Sequence, residues 1–302
     1  MLYRTKEKIK RLVFNLYCKD ILNTNPITTS KNSSVMLVTL LSHLDVIMYL
    51  VSIKSFYFFL NNFQGRITII NDGSLTSYDI YILKKHINGL NIINIDSIDT
   101  KECPKGGCWE RLIYILNQLN DYYVIQLDAD TLFLGEVSEV DKAIKNNCNF
   151  ILSGVCKPLK ILPVTIYNKE IQNNKSKHIQ VLAEKKLIYL PNSQSIKYIK
   201  GCAAFAGFSR KSVNIKSLIQ FSKKMESYLG SKWHKWGSEQ VASNYILSNF
   251  GQCTTILQYP KYQNFLPDCK YNLANFIHFI GTYRFKKLIY PRLAKKIIKQ
   301  LK

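Results

Sequence analysis

The stretch Tyr122-Tyr123-Val124-Ile125-Gln126-Leu127-Asp128-Ala129-Asp130-Thr131-Leu132-Phe133 decides how this chain is read. An apolar, strand-like run delivers two carboxylates, one residue apart, to its carboxyl end. Residues i and i+2 of an extended backbone point to the same side, so Asp128 and Asp130 can face one cation. Hard oxygen donors of this kind suit Mg²⁺ or Mn²⁺, ions that bridge carboxylates to substrate phosphates. Asp-x-Asp is also an ordinary turn; the strand before it and the apolar Leu132-Phe133-Leu134 after it single this one out. Two like charges so close should repel, and removing either one is expected to leave the metal-free fold unharmed or slightly more stable.

Outward from this strand the pattern alternates. Val35 to Leu41 reads as a strand, followed by a helical stretch through Leu60. Arg66 to Ile70 is a second strand ending in Asn71-Asp72-Gly73-Ser74, Ser77 to Ile87 is helical, and Asn91 to Ile95 is a third strand. Trp109 to Leu119 is a helix that leads into the Asp-x-Asp strand. Strands alternating with helices at this spacing predict an α/β fold, with a mostly parallel central sheet flanked by helices on both faces. Ligands of such sheets sit at the carboxyl ends of the strands, where Asp72, Asp128 and Asp130 all fall. The second half is less regular. Residues 157 to 200 read as a Lys-rich excursion that helps form an acceptor-side surface. Ile196 to Phe208 reads as a strand and Glu239 to Phe250 as a helix. The organisation expected is a basic helix and linker over 1–34, a main domain over 35–285 and a basic tail over 286–302.

Composition narrows the classes. Of 302 residues, 47% are hydrophobic, which excludes a disordered chain. The 42 Lys and Arg against 20 Asp and Glu give a net +22, which favours a polyanionic partner such as nucleic acid, anionic lipid or a phosphorylated small molecule. No uncharged apolar run approaches the ~20 residues of a membrane span; Val46 to Leu60 is interrupted by Lys54 and reads as a buried helix. The N-terminus lacks a secretory signal pattern, and the eight cysteines show no Cys-x-x-Cys pair. Reduced, partly buried thiols in a cytoplasmic protein are therefore expected.

The Asp-x-Asp strand end resembles that of nucleotide-sugar glycosyltransferases of the GT-A fold, and within them the family of glycogenin and the bacterial lipopolysaccharide galactosyl- and glucosyltransferases (family 8). In that family the metal motif looks like Leu127-Asp128-Ala129-Asp130, and a late His-x-x-Gly-x-x-Lys motif is similar to His278-Phe-Ile-Gly281-Thr-Tyr-Arg284, with Arg in place of Lys. The resemblance implies a metal site of Asp128, Asp130 and His278, and donor diphosphate contacts from Gly281 and Arg284. Arg111 is a further donor contact it implies, although Arg111 also reads as a solvated helix residue. Asn71-Asp72-Gly73-Ser74 resembles instead a turn of the large inverting GT-A family, which implies a base or ribose contact from Asp72, although it also makes a tight turn. Glu239-Gln240-Val241 with Asn244 partly matches the family's Asp-Gln-Asp before a helix; the second Asp is absent. Glu239 and Gln240 are the catalytic candidates on the acceptor side. Gly201 to Phe208, small and apolar, reads either as a floor beneath the transferred sugar or as a tightly packed central strand.

The implied activity is metal-dependent transfer of a sugar from a nucleotide-diphosphate donor to a glycan or glycolipid in cell-surface polysaccharide or lipopolysaccharide synthesis. The two ordered motifs favour retention of anomeric configuration over inversion. A nucleotidyltransferase shares the sheet and metal logic but opens with a Gly-rich loop, which Thr39 to Asp45 lacks. A nucleic-acid-binding protein would fit the charge and the 19 Tyr, yet no RNP, KH or zinc-finger pattern is present, so no nucleic acid is expected. After Pro291, Leu293, Ala294, Ile297, Ile298 and Leu301 share one helical face and five basic residues occupy the others. That pattern suits attachment to the anionic inner leaflet, with the tail dispensable for donor chemistry.

Overall fold

The computed structural model describes residues 2–60, 63–267 and 269–302, with side chains of the first helix described from Glu7 onward. Strands β1 (Val35–Leu41), β2 (Arg66–Asn71), β3 (Asn91–Asn94) and β4 (Tyr123–Leu127) run parallel, in the order β4-β1-β2-β3. They alternate with helices α2 (Val46–Phe59), α3 (Ser77–His86) and α4 (Trp109–Gln118). The sheet continues through β6 (Asn149–Ser153), β7 (Gly201–Phe208) and β8 (Thr254–Leu257) to a seven-stranded order β8-β6-β7-β4-β1-β2-β3. In this order β7 is antiparallel to both of its neighbours. A second sheet joins β5 (Thr131–Phe133), β9 (Tyr262–Asn264) and β10 (Phe276–His278) in the order β9-β10-β5. The expected α/β fold with a mostly parallel sheet is therefore present, with β7 as an antiparallel insertion.

Every residue of β7 is buried, because it lies between two strands and under α9 (Ser238–Asn249). Bulk is excluded there: a Cβ on Gly207 would meet the Phe150 ring at 2.3 Å. The strand expected over 196–208 is split, with a two-residue strand at Lys197–Tyr198 before β7. Helix α5 (Ser138–Lys145) precedes β6 and α8 (Ile215–Leu229) follows β7; the 157–200 excursion holds helices α6 (Val164–Ile171) and α7 (Ile179–Lys186), and α7 packs against α9.

Helix α2 is apolar around its circumference, and its one charge is buried with it. The Lys54 ammonium donates to the carbonyls of Thr24 (3.3 Å) and Asn25 (2.7 Å) and to Thr24 Oγ1 (2.7 Å). Burial lowers its pKa to about 8. Removing the donor orphans those carbonyls and opens a cavity. Lys54→Ala should thus cost about 3 kcal/mol, visible as a melting temperature lower by roughly 5 °C or more. An unchanged melt would mean that water replaces the ammonium freely.

Two expectations fail. The tail forms helix α10 (Ile289–Gln300), but its apolar face is not free: Tyr290, Ala294, Ile297 and Ile298 are buried in the main core against α1 (Leu2–Cys18) and α2. Amphipathicity alone does not say whether a helix faces lipid or its own domain, and here the domain takes that face. The cysteines are not all reduced either. Cys148 is bonded to Cys253 and Cys156 to Cys269, across 105 and 113 residues, while Cys18, Cys103, Cys108 and Cys202 are free. Parallel pairing of β6 with β8, with Asn149 opposite Thr254, sets Cys148 beside Cys253. Sequence spacing carries no trace of that. The expectation of reduced thiols throughout is thereby corrected.

Candidate metal and sugar-nucleotide site

Three hydrogen bonds shape the Asp128-Ala129-Asp130 turn. The Asp128 amide donates to Ala204 O on β7 (2.8 Å), Thr131 Oγ1 donates to Asp128 O (2.9 Å), and the Phe279 amide donates to Asp130 O (2.8 Å). The second sheet then supplies the third ligand: His278 on β10 lies directly opposite Thr131 on β5, which brings it beside Asp130. Ligand atoms of Asp128, Asp130 and His278 lie within 4.8 Å of one another. Two carboxylates and one imidazole converging in this way fit a divalent cation of the Mn²⁺ or Mg²⁺ type.

The carboxylates already have cationic partners. Asp130 is ion-paired with Arg284, and His278 Nε2 stands 3.4 Å from its other oxygen. Burial pushes the Asp130 carboxyl up, but His278 and Arg284 outweigh it and hold the group below the usual carboxylate range. Burial acts against the His278 imidazolium, yet Asp130 raises its pKa to about 10. Asp128, more open, is ion-paired with Arg111, whose guanidinium also lies 3.8 Å from Glu239. Arg111 is buried on α4, so it is a wall of the site and not a solvated helix residue. Glu239 opens α9 and is buried; desolvation lifts its carboxyl to about 7 despite Arg111.

These groups line a cleft of about 430 Å³ at the carboxyl edge of β4. Asp128, Asp130, His278, Gly281, Arg284, Arg111, Glu239 and Gln240 all border it, so eight of the nine residues expected from the sequence converge. Gly281 has φ +27°, and nothing lies within 4 Å of the position a Cβ would take, which leaves backbone open to a ligand. Gly201, Cys202, Ala203 and Ala204 of β7 form part of the wall, and the strand is the tightly packed central strand of one of its two readings. Gln180 and Lys200 come from the 157–200 excursion.

Asp72 is the exception. It ends β2 as expected, but its carboxylate accepts hydrogen bonds from the Ser74 amide (2.9 Å) and hydroxyl (2.5 Å), as in an Asx turn. It is not among the residues that line the cleft.

The structure adds residues that no motif marked. Asn264 on β9 lies opposite His278, and its Oδ1 is 2.8 Å from His278 Nδ1. Asn264 Nδ2 in turn donates to Gly154 O (3.3 Å), which fixes the amide so that Oδ1 accepts from Nδ1–H. That arrangement turns Nε2 towards the carboxylates. Cys202 Sγ lies 3.5 Å from the same Nδ1. Trp236 borders the cleft while 69% exposed, next to Gly237 at φ +103°. None of these has a spacing relation to the Asp pair.

No protein-family model and no curated protein matches the sequence. Solved structures do match. The bifunctional glycosyltransferase WbbM, in its apo form, superposes with a TM-score of 0.51 at 13% identity over 92% of this chain. The present chain spans 53% of WbbM, about half its length. The galactosyltransferase LgtC, solved with donor and acceptor sugar analogs, gives 0.49 at 12% identity, covering 88% of this chain and 94% of its own. Core-mannan synthase A from Aspergillus fumigatus, in a Mn/GDP form, gives 0.42 at 12% over 91% of this chain and 86% of its own. At such identities the likeness is one of fold. This chain has the GT-A glycosyltransferase fold, as its strand pattern and Asp-x-Asp turn led us to expect. Among the described residues no helix is long and apolar enough to cross a membrane.

Proposed function

We propose that this protein is a metal-dependent, retaining glycosyltransferase that moves a sugar from a nucleotide-diphosphate donor to a glycan or glycolipid. The convergence of Asp128, Asp130 and His278 at the floor of one cleft carries this reading. These three residues would hold Mn²⁺ or Mg²⁺, which as a Lewis acid would offset charge on the departing diphosphate. To serve as a ligand, His278 gives up its Nε2 proton, while Asn264 keeps Nδ1 protonated and the ring oriented. Arg284 and Arg111, which neutralise the carboxylates in the metal-free protein, are then released to bind the donor. Arg284 with Gly281 serves the diphosphate, and its planar fork matches two phosphate oxygens where Lys would offer a point charge. Asp72 ends β2 at the same sheet edge but outside the cleft wall, and serves the base or ribose only where the donor extends past the cleft lining.

The bond between the anomeric carbon and the diphosphate breaks, a bond from an acceptor hydroxyl forms on the same face, and the hydroxyl proton leaves. Glu239 and Gln240 flank the small-residue wall of β7 and act on the sugar and the acceptor. With a pKa near neutrality, Glu239 can accept a proton there. Trp236 at the mouth offers an aromatic face to an acceptor ring. Synthesis of cell-surface polysaccharide or lipopolysaccharide is the setting that suits this chemistry.

Thermal melts with UDP, CDP, GDP and a DNA duplex, each with and without Mn²⁺, test the reading. One nucleoside diphosphate should stabilise the protein only with metal, by about 3 kcal/mol at a hundredfold excess over its Kd. Stabilisation by DNA alone, or by nucleotide equally well in EDTA, would sink it.

A further inference from the structure

With α10 docked inward, the unpartnered amphipathic surface is on α1. Phe14 and Cys18 are fully buried, Phe14 against Tyr290 at a ring distance of 4.5 Å. Half a turn round the helix, Ile9, Leu12 and Leu16 are 55%, 61% and 69% exposed. Their spacing of three and four residues makes them one continuous stripe. Exposed Lys8 and Lys19 lie along one flank. On the other side Tyr17 carries Lys295 of α10 over its ring at 5.9 Å. The nearby acids are already paired: Glu7 with Lys10, Asp20 with Lys302, and Asp45 with Arg11. An exposed apolar ridge flanked by ammonium groups that have no acidic partner among the described residues is complementary to a bilayer surface bearing anionic headgroups, with the lysine stems reaching past the ridge to phosphate.

We infer that the outer face of α1, flanked by Lys295 of α10, docks this protein on an anionic lipid surface. The apolar stripe enters the headgroup boundary, and Lys8, Lys19 and Lys295 supply the attraction. This inference does not depend on the sugar chemistry, because it is read by binding alone.

The experiment is co-sedimentation of the full chain with phosphatidylcholine vesicles, with and without phosphatidylglycerol, across a salt series. The protein should bind only vesicles that contain the anionic lipid, more weakly as salt rises. Ile9→Ser/Leu12→Ser/Leu16→Ser should lower the partition coefficient at least about tenfold at every salt concentration. Its melting temperature should not change, since all three side chains are exposed. Lys8→Gln/Lys19→Gln/Lys295→Gln should also weaken binding and should flatten its salt dependence. The inference is overturned if the parental protein ignores anionic vesicles at low salt, or if the triple Ser variant sediments like the parent. It is equally overturned if the Ser substitutions dissociate a dimer in sedimentation velocity and leave vesicle binding intact, since the stripe would then join two copies of the chain.

Discussion

On the proposed function, Asp130→Ala should lose Mn²⁺ binding and at least about 10³-fold in sugar transfer, because the residue would be a ligand of the ion that offsets leaving-group charge. It should also destabilise the metal-free protein. Two adjacent acids suggest relief of repulsion on removal, but Asp130 is buried between Arg284 and His278, both cationic. Removing it strands the Arg284 guanidinium and takes from His278 the partner that keeps its buried ring cationic, at a cost of about 3 kcal/mol in EDTA. The pKa of Asp130 is depressed by folding, so its contribution is present above the unfolded value of ~4 and fades as pH falls below it. Calorimetric Mn²⁺ titration and melts in EDTA measure the two halves separately. Asp128→Ala should cost less stability, since that side chain is more open and Arg111 keeps Glu239 nearby. An Asp130→Ala protein that melts at or above the parental temperature in EDTA would show that the Arg284 and His278 pairing has no energetic weight.

Deleting residues 292 to 302 should abolish folding and not merely detach the protein from a surface. The cut removes Ala294, Ile297 and Ile298, all buried, with partly buried Leu293 and Leu301 packed beside them. Lost burial of this size is worth about 5 kcal/mol or more, comparable with the whole stability of a domain. Damage would also reach the site, because Tyr290 at the start of α10 stacks on Phe279 at 3.9 Å, and the Phe279 amide holds Asp130 O. The truncated chain should therefore be insoluble, or melt far below the parent. A soluble truncation with an unchanged melt would restore the tail as an independent appendage.

The sequence was most informative where local chemistry and strand period agree. Alternating strands and helices announced a mostly parallel sheet, and an apolar strand ending in two acids announced where its ligand edge lies. Asp128 and Asp130 are neighbours in the chain, so their pairing needs no tertiary knowledge. His278, Gly281 and Arg284 were found through a motif resemblance. What brings them to Asp130 is the pairing of β10 with β5, which no local pattern encodes.

By itself, then, the sequence determined the α/β architecture, the carboxylate turn and the list of cationic and acidic candidates. Tertiary structure alone decided which partner each took: Arg111 faces Asp128 from a helix whose register was open, Asn264 orients His278, and Asp72 turns to Ser74 outside the cleft wall. It also decided which amphipathic face is spent inside the molecule. Periodicity shows that a helix has an apolar side but not what covers it. α1 and α10 both carry such sides, and only their packing leaves the stripe of α1 outside while the face of α10 is buried. The disulfides follow the same rule, since two thiols 105 residues apart become neighbours only through strand register. Local propensity acts over a few residues, whereas pairing and burial depend on contacts that the folded chain alone brings into being.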